Sequence, residues 1–79
     1  MLVFVKNSRG VALSIEVLPT DKVSVLRNEV RAEIAREDSV MRDDVIERFR
    51  LIFKGREIED NKTIQDYAIT ECSIIQLQT

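Results

Sequence analysis

The sequence has few of the residues on which protein chemistry commonly depends. It contains no histidine, no tryptophan, one proline, two glycines and one cysteine, Cys72. Without histidine and with a single thiol, the usual zinc sites cannot be assembled and a disulfide within the chain is impossible. The two glycines are far apart, so no glycine-rich loop is available to cradle a phosphate. We therefore expect neither a metal ion nor a cofactor, and we expect no enzymatic activity.

Charge and hydropathy also exclude several classes of protein. Charged residues of both signs make up 33% of the chain, and the net charge is −2, which gives no electrostatic reason to expect nucleic acid or an anionic membrane as a partner. No apolar run approaches the roughly 20 residues of a membrane span. The first ten residues, MLVFVKNSRG, begin with residues that alternate between the two faces of a strand, and this segment is too short for a signal peptide. A free thiol suits a reducing compartment, so we expect the cytoplasm or the nucleus.

The apolar pattern is that of one small domain that begins with a hairpin. Hydrophobic residues make up 44% of a chain of 79 residues, enough for a single core and too short for two domains. Apolar and polar residues alternate over residues 2–6 and again over 11–17. Residues 7–10 form a turn between them, and Gly10 can adopt a positive φ there. This pattern predicts a β-hairpin.

The middle of the chain changes to helical periodicity. Apolar residues recur three or four positions apart over residues 22–35, which predicts an amphipathic helix, and Asp21 just before it is a predicted N-cap. The charged segment that follows contains Met41, Val45 and Phe49 four residues apart, which predicts a second short helix from about Ser39 or a continuation of the first. The apolar stripe of the main helix is Val23, Leu26, Val30 and Ile34.

The second half returns to strand periodicity. Short strands are predicted over residues 51–53 and 56–58, a helical turn capped by Thr63 over 63–67, and a last strand over 73–78 with Ile75 and Leu77 inward. The predicted order is therefore β-β-α-β-β-β, with a helical turn before the last strand. A sheet covered on one face by a helix belongs to the α+β class.

In this order the segments resemble the ubiquitin family over nearly the whole chain. The strongest block is Arg50-Leu51-Ile52-Phe53, followed by Gly55, Glu59-Asp60, Thr63, Asp66-Tyr67 and Ile69. The matches before the helix are Phe4, Val5, Lys6, Gly10, Glu16, Val17, Pro19 and Asp21. The resemblance implies a β-grasp fold: a mixed sheet with one main helix across it. It also implies that the hydroxyl of Tyr67 bonds the backbone near Glu59.

The departures from the family pattern bear on function. The chain carries an insertion around residues 36–49, and it ends at Gln78-Thr79 without the terminal diglycine through which ubiquitin is conjugated. We therefore expect a non-covalent module. Because the chain opens at Met1 as ubiquitin does, we expect a single ubiquitin-like domain, residues 1–79, at the N-terminus of a longer protein.

Strand parity makes Ile52 the leading candidate site residue. If Leu51 and Phe53 face the helix, Ile52 faces outward together with Arg50 and Lys54. The resemblance implies that this isoleucine is the centre of the patch that ubiquitin receptors bind, with the two cations steering a partner. The alternative is that Ile52 is a tolerated exposed apolar residue, since isolated ones are common.

Four further residues complete the candidate surfaces. Gln76 replaces a histidine of the family patch, and Ser8 replaces an apolar group, so this patch is smaller and more polar. Leu2 and Phe4 face outward on the first strand and are predicted to form a secondary surface, unless another segment covers them. The insertion is either a contact surface or a longer loop whose apolar residues complete the edge of the core, and we favour the second.

These features together favour a non-covalent protein-binding function in the ubiquitin–proteasome system. The resemblance implies that the domain, expected to be a monomer, links a parent protein to proteasome subunits or ubiquitin receptors. One alternative is a ubiquitin-like modifier cut before its diglycine. Another is a β-grasp scaffold or Ras-binding-type module of a different assembly, in which Ile52 has no role.

Overall fold

The computed structural model describes residues 1–36 and 49–78 and shows one helix packed across a sheet. The elements follow one another in the predicted order, with bounds within two residues of the predicted ones. They are β1 Leu2–Lys6, β2 Ala12–Glu16, α1 Val23–Ala35, β3 Arg50–Phe53, β4 Arg56–Glu57, a 3₁₀ turn Gln65–Tyr67 and β5 Ile74–Gln78.

The strands form a mixed sheet in the order β2-β1-β5-β3-β4. β1 pairs with β2 in antiparallel, as the predicted hairpin requires, and with β5 in parallel. β3 pairs in antiparallel with both β5 and β4. The chain passes from β2 at one edge to β3 near the other through α1, so the helix lies across the sheet. This architecture is the expected α+β β-grasp fold.

Alternation along each strand decides which side chains reach the core. In β1, Val3 and Val5 are fully buried, whereas Leu2 and Phe4 are only half-buried on the other face. The predicted stripe of α1 faces the same core, and none of its four residues is more than 1% exposed. Among the described residues, the rest of the core consists of Leu13, Ile15, Val17, Phe49, Leu51, Phe53, Ile58, Ile64, Ile69, Ile75 and Leu77.

The start of α1 differs from the prediction that Asp21 caps the helix. The N-cap is Lys22, which is extended and makes no side-chain capping bond. The Oδ2 of Asp21 instead accepts a hydrogen bond from the Leu18 N–H at 2.8 Å and closes the preceding turn. The Val23 N–H in the first turn of the helix donates to the Lys62 carbonyl at 2.8 Å. A carbonyl distant in sequence therefore replaces the side-chain cap.

The short helix predicted from Ser39, with Met41 and Val45, lies outside the described residues. Phe49, directly before β3, is buried in the core at 6% exposure. The Arg27 guanidinium donates a hydrogen bond to the Phe49 carbonyl and lies over its ring, 5.0 Å from the centroid. Arg27 also pairs with Asp60 at 2.8 Å. This arginine therefore ties α1 to the start of β3.

Candidate functional site

One row of side chains crosses the outer face of the sheet, opposite the helix, through all five strands. The strand registers place Lys6 between Ala12 and Gln76, and Ile52 between Gln76 and Glu57. Neighbouring strands lie about 4.8 Å apart, so each side chain can contact the next. We call Ala12, Lys6, Gln76, Ile52 and Glu57 the central row.

Ile52 is the apolar residue at the β3 position of this row. Leu51 is fully buried and Phe53 is 8% exposed, both in the core, while Ile52 between them is half-buried on the outer face. Ile52 therefore faces outward, as strand parity requires. Gln76, predicted to lie at the rim of the Ile52 patch, is directly beside Ile52 on β5.

The charges beside Ile52 are of both signs. Arg50 precedes it on the same face, opposite Gln78, and its Nε lies 3.9 Å from the Glu57 carboxylate. Both side chains are well exposed, at 69% and 54%, so the pair is loosely held. Sequence reasoning missed Glu57 as part of the surface. The two-residue connection at 54–55 was the signal, because it places Glu57 opposite Ile52 in a hairpin.

Lys54 and Ser8 lie in turns, outside the strand positions of the central row. Lys54 and Gly55 have φ values of 52° and 80°, which two-residue hairpin turns require. The turn ends the strand alternation, and the Lys54 ammonium lies 5.4 Å from the centroid of the inward-facing Phe53 ring. Ser8 is exposed in the turn that joins β1 to β2.

A second and more exposed apolar group lies on β1 and β5. Phe4 is beside Ser14 on one side and Ile74 on the other. Ile74 is 58% exposed, and Leu2 and Phe4 are half-buried. Sequence reasoning found Leu2 and Phe4 but missed Ile74. Strand parity could have found it, because Ile75 and Leu77 face inward and Ile74 must then face outward.

Hydrogen bonds within the 59–67 segment fix its shape. The Tyr67 hydroxyl accepts a hydrogen bond from the Glu59 backbone N–H at 2.8 Å, as the family resemblance implied. Thr63 and Asp66 bond each other reciprocally: the Asp66 carboxylate accepts from the Thr63 N–H at 2.9 Å, and the Thr63 hydroxyl accepts from the Asp66 N–H at 3.3 Å. The pKa of Asp66 is lowered from its ordinary value. The main cause is the hydrogen bond from the Thr63 backbone N–H, and the second is hydrogen bonding with the Thr63 side chain.

Other chemistry finds little support in residues 1–36 and 49–78. Cys72 is exposed in a turn, and its N–H donates to the Leu2 carbonyl at 2.7 Å. No histidine exists to activate its thiol. Within those ranges, no three histidine, cysteine or carboxylate side chains are placed to hold a metal ion. No helix there is long and apolar enough to cross a membrane.

Comparison with known proteins agrees with this geometry. The model of the family described as "Ubiquitin family" matches residues 3–79. "Ubiquitin-like protein NEDD8" of Dictyostelium discoideum is 30% identical over 77 residues, which cover 98% of this chain and 90% of that protein. Proteins of this family mediate protein–protein interactions and are in general not enzymes. The chain belongs to the ubiquitin family.

Proposed function

We propose that this chain is a non-covalent recognition module that links a parent protein to the proteasome or to ubiquitin receptors. The observation that carries the proposal is the outward-facing Ile52 on the sheet face opposite the helix, in a chain of the ubiquitin family. The family resemblance implies that receptors bind at this position. We propose the cytoplasm or nucleus as its compartment, which is compatible with the free, exposed thiol of Cys72.

A suitable partner would present an apolar groove with a polar rim. Ile52 is already half-buried, so burying the remainder would contribute about 1–2 kcal/mol, less than a fully exposed isoleucine would. Arg50 pairs only loosely with Glu57 and could exchange it for an acidic group of the partner. The Gln76 amide offers both a donor and an acceptor beside the groove. This combination suits weak, reversible binding.

We further propose that Leu2 and Phe4, together with Ile74, form a second contact surface. The three side chains lie on neighbouring strands β1 and β5 of the outer face. Ile74 is the most exposed of them, at 58%, so it has apolar area left to bury in a partner. Lys54 and Ser8 remain candidates for the rim of a large interface, because both lie in turns outside the central row.

An NMR titration of the ¹⁵N-labelled chain with a helical ubiquitin-binding segment of a proteasomal ubiquitin receptor tests the proposal. We expect the largest amide shifts at Arg50, Ile52 and Gln76. Ile52→Ala should reduce the affinity, whereas Val25→Ala, a control at an exposed apolar residue of α1 outside both surfaces, should leave it unchanged. Shifts confined to Phe4 and Ile74 would move the site to the second surface. Absence of binding at millimolar concentration would contradict the function itself.

Two alternatives predict different observations. For a conjugated modifier, with which the match of the ubiquitin-family model to residues 3–79 is also compatible, the full gene product would carry a diglycine soon after Thr79. For a scaffold or Ras-binding-type module, a small GTPase or assembly partner would bind, and Ile52→Ala would not change its affinity. These outcomes separate the three functions.

A further inference from the structure

The two edges of the sheet differ in how they are protected. β4 is the edge beside β3 and consists of only Arg56 and Glu57, both charged and exposed. β2, the opposite edge, has five residues, ALSIE, with no proline and no lysine. Its paired residues follow one another without a bulge along β1. Short length, charged side chains, proline and bulges are the usual devices against edge-to-edge pairing, and of the last three β2 has only one charged residue, Glu16.

The hydrogen bonds of the hairpin show which groups of β2 face outward from the sheet. The Val17 N–H donates to the Met1 carbonyl, and the Asn7 N–H donates to the Val11 carbonyl, each at 2.9 Å. Hydrogen-bonded and non-hydrogen-bonded pairs alternate in an antiparallel ladder, so the odd-numbered residues of β2 bond β1. The N–H and C=O groups of the even-numbered residues therefore point away from β1, to the side of β2 where no strand of the described residues lies. These residues are Ala12, Ser14 and Glu16.

We propose that the β2 edge pairs in antiparallel with the β2 edge of a second copy of this chain. A two-fold axis at Ser14 places Ser14 opposite itself, and it places Ala12 opposite Glu16 of the second copy. All three of these residue pairs would be hydrogen-bonded, because each outward-facing residue meets an outward-facing one. The strand is thus self-complementary in this register, and the two sheets join into one.

The side chains also suit this register. Each Glu16 meets the small Ala12 of the second copy and not the other Glu16, so like charges are not directly opposed. Glu16 is further neutralised by the Met1 ammonium, 2.8 Å away, an ion pair that raises the pKa of that amine. Ser14 offers a hydroxyl on each side of the axis, and serine pairs across strands can hydrogen-bond.

The pairing is weak because the interface is small. Leu13 and Ile15 are already buried, at 7% and 3% exposure, so pairing adds little apolar burial beyond the edge itself. A stable interface commonly buries about 1,200–2,000 Å², more than two five-residue edges provide. We expect a dissociation constant in the high micromolar to millimolar range. In dilute solution the chain is then a monomer, the state expected from its sequence.

Charge variants at Ala12 test the register. Ala12→Glu places a second carboxylate opposite each Glu16, which makes two like-charge pairs per dimer, so the dissociation constant should rise by about threefold to tenfold. Ala12→Lys makes two opposite-charge pairs instead, so the dissociation constant should fall by about the same factor. Ala32, exposed on α1, gives matched controls: Ala32→Glu and Ala32→Lys should not alter association. Ala12 is also exposed, so we expect every variant to fold. Urea unfolding at low protein concentration checks this expectation.

Sedimentation and concentration-dependent amide exchange measure the association of the full chain. We expect the amides of Ala12, Ser14 and Glu16 to exchange more slowly as concentration rises. The proposal would be overturned if the chain stays monomeric at millimolar concentration. The β2 edge would then be left for pairing with a strand of another protein. The proposal would also be overturned by a dimer whose shifts fall on Phe4 and Ile74, or by one that responds equally to the Ala12 and Ala32 variants.

Discussion

Arg27 offers a direct test of how the helix holds the strand that carries Ile52. Its Nε donates to Asp60 Oδ1 at 2.8 Å, and a terminal nitrogen donates to the Phe49 carbonyl. Its Cζ lies 5.0 Å from the centroid of the Phe49 ring, and the side chain is only 17% exposed. Because Phe49 directly precedes β3, removing the guanidinium should loosen the start of that strand.

The size of the effect follows from the interactions that Arg27→Met removes while keeping most of the aliphatic stem. A hydrogen bond from a charged donor contributes about 1.5–3 kcal/mol. The partly exposed ion pair with Asp60 and the cation–π interaction with Phe49 contribute about 0.5–1 kcal/mol each. Because these terms overlap, we expect the free energy of unfolding to fall by about 2–4 kcal/mol, or the Tm by roughly 10–25 °C in a domain of this size.

Urea unfolding at neutral pH, followed by circular dichroism, measures this loss. The loss of stability in Arg27→Lys should be about half of that in Arg27→Met. An ammonium lacks the rigid fork of donors of a guanidinium, so it cannot bond both acceptors at once. Arg31→Met is the matched control: Arg31 lies over the same ring at 5.7 Å and bonds Asn28 at 3.4 Å, and should lose less than about 1 kcal/mol. Equal losses in Arg27→Met and Arg31→Met would refute the assignment.

Two further predictions concern the 59–67 segment. Tyr67→Phe removes the hydrogen bond from the Glu59 N–H and should lower the free energy of unfolding by about 0.5–1.5 kcal/mol; no change in the urea midpoint would contradict this. The pKa of Asp66 is lowered in the folded chain, so its ionised carboxylate stabilises the fold above the unfolded pKa, and the contribution is lost as pH falls through the folded pKa. Asp66→Ala should therefore destabilise the chain at neutral pH but not well below pH ~3.9, and an equal effect at both pH values would count against the reciprocal bond.

Most of the fold follows from periodicity, because each change between a period of two and a period of 3.6 marks a new element. The helix stripe of Val23 and Ile34 and the alternation of Leu51 and Phe53 are local signals of this kind. The predicted cap at Asp21 is wrong for a non-local reason. The first turn of α1 finds an acceptor at Lys62, which lies 39 residues after Val23, and local sequence does not show that approach.

The candidate site was only partly predictable, because it combines strand parity with register. Parity alone places Ile52 outward, and it would also have placed Ile74 outward. Register brings Gln76 and Glu57 to the two sides of Ile52, and it depends on which strands are neighbours. Lys54 departs from parity because its φ of 52° belongs to the turn and not to the strand.

The most direct test of Ile52 as the docking point measures affinity and stability together for two neighbouring variants. Ile52→Ala should weaken binding to a proteasomal ubiquitin receptor by about fivefold to thirtyfold, with less than about 1 kcal/mol lost from the free energy of unfolding. Leu51→Ala, in contrast, removes a fully buried side chain and should cost about 2–5 kcal/mol of stability. Unchanged affinity in Ile52→Ala, or a loss of stability as large as that of Leu51→Ala, would contradict an outward-facing isoleucine that binds the receptor.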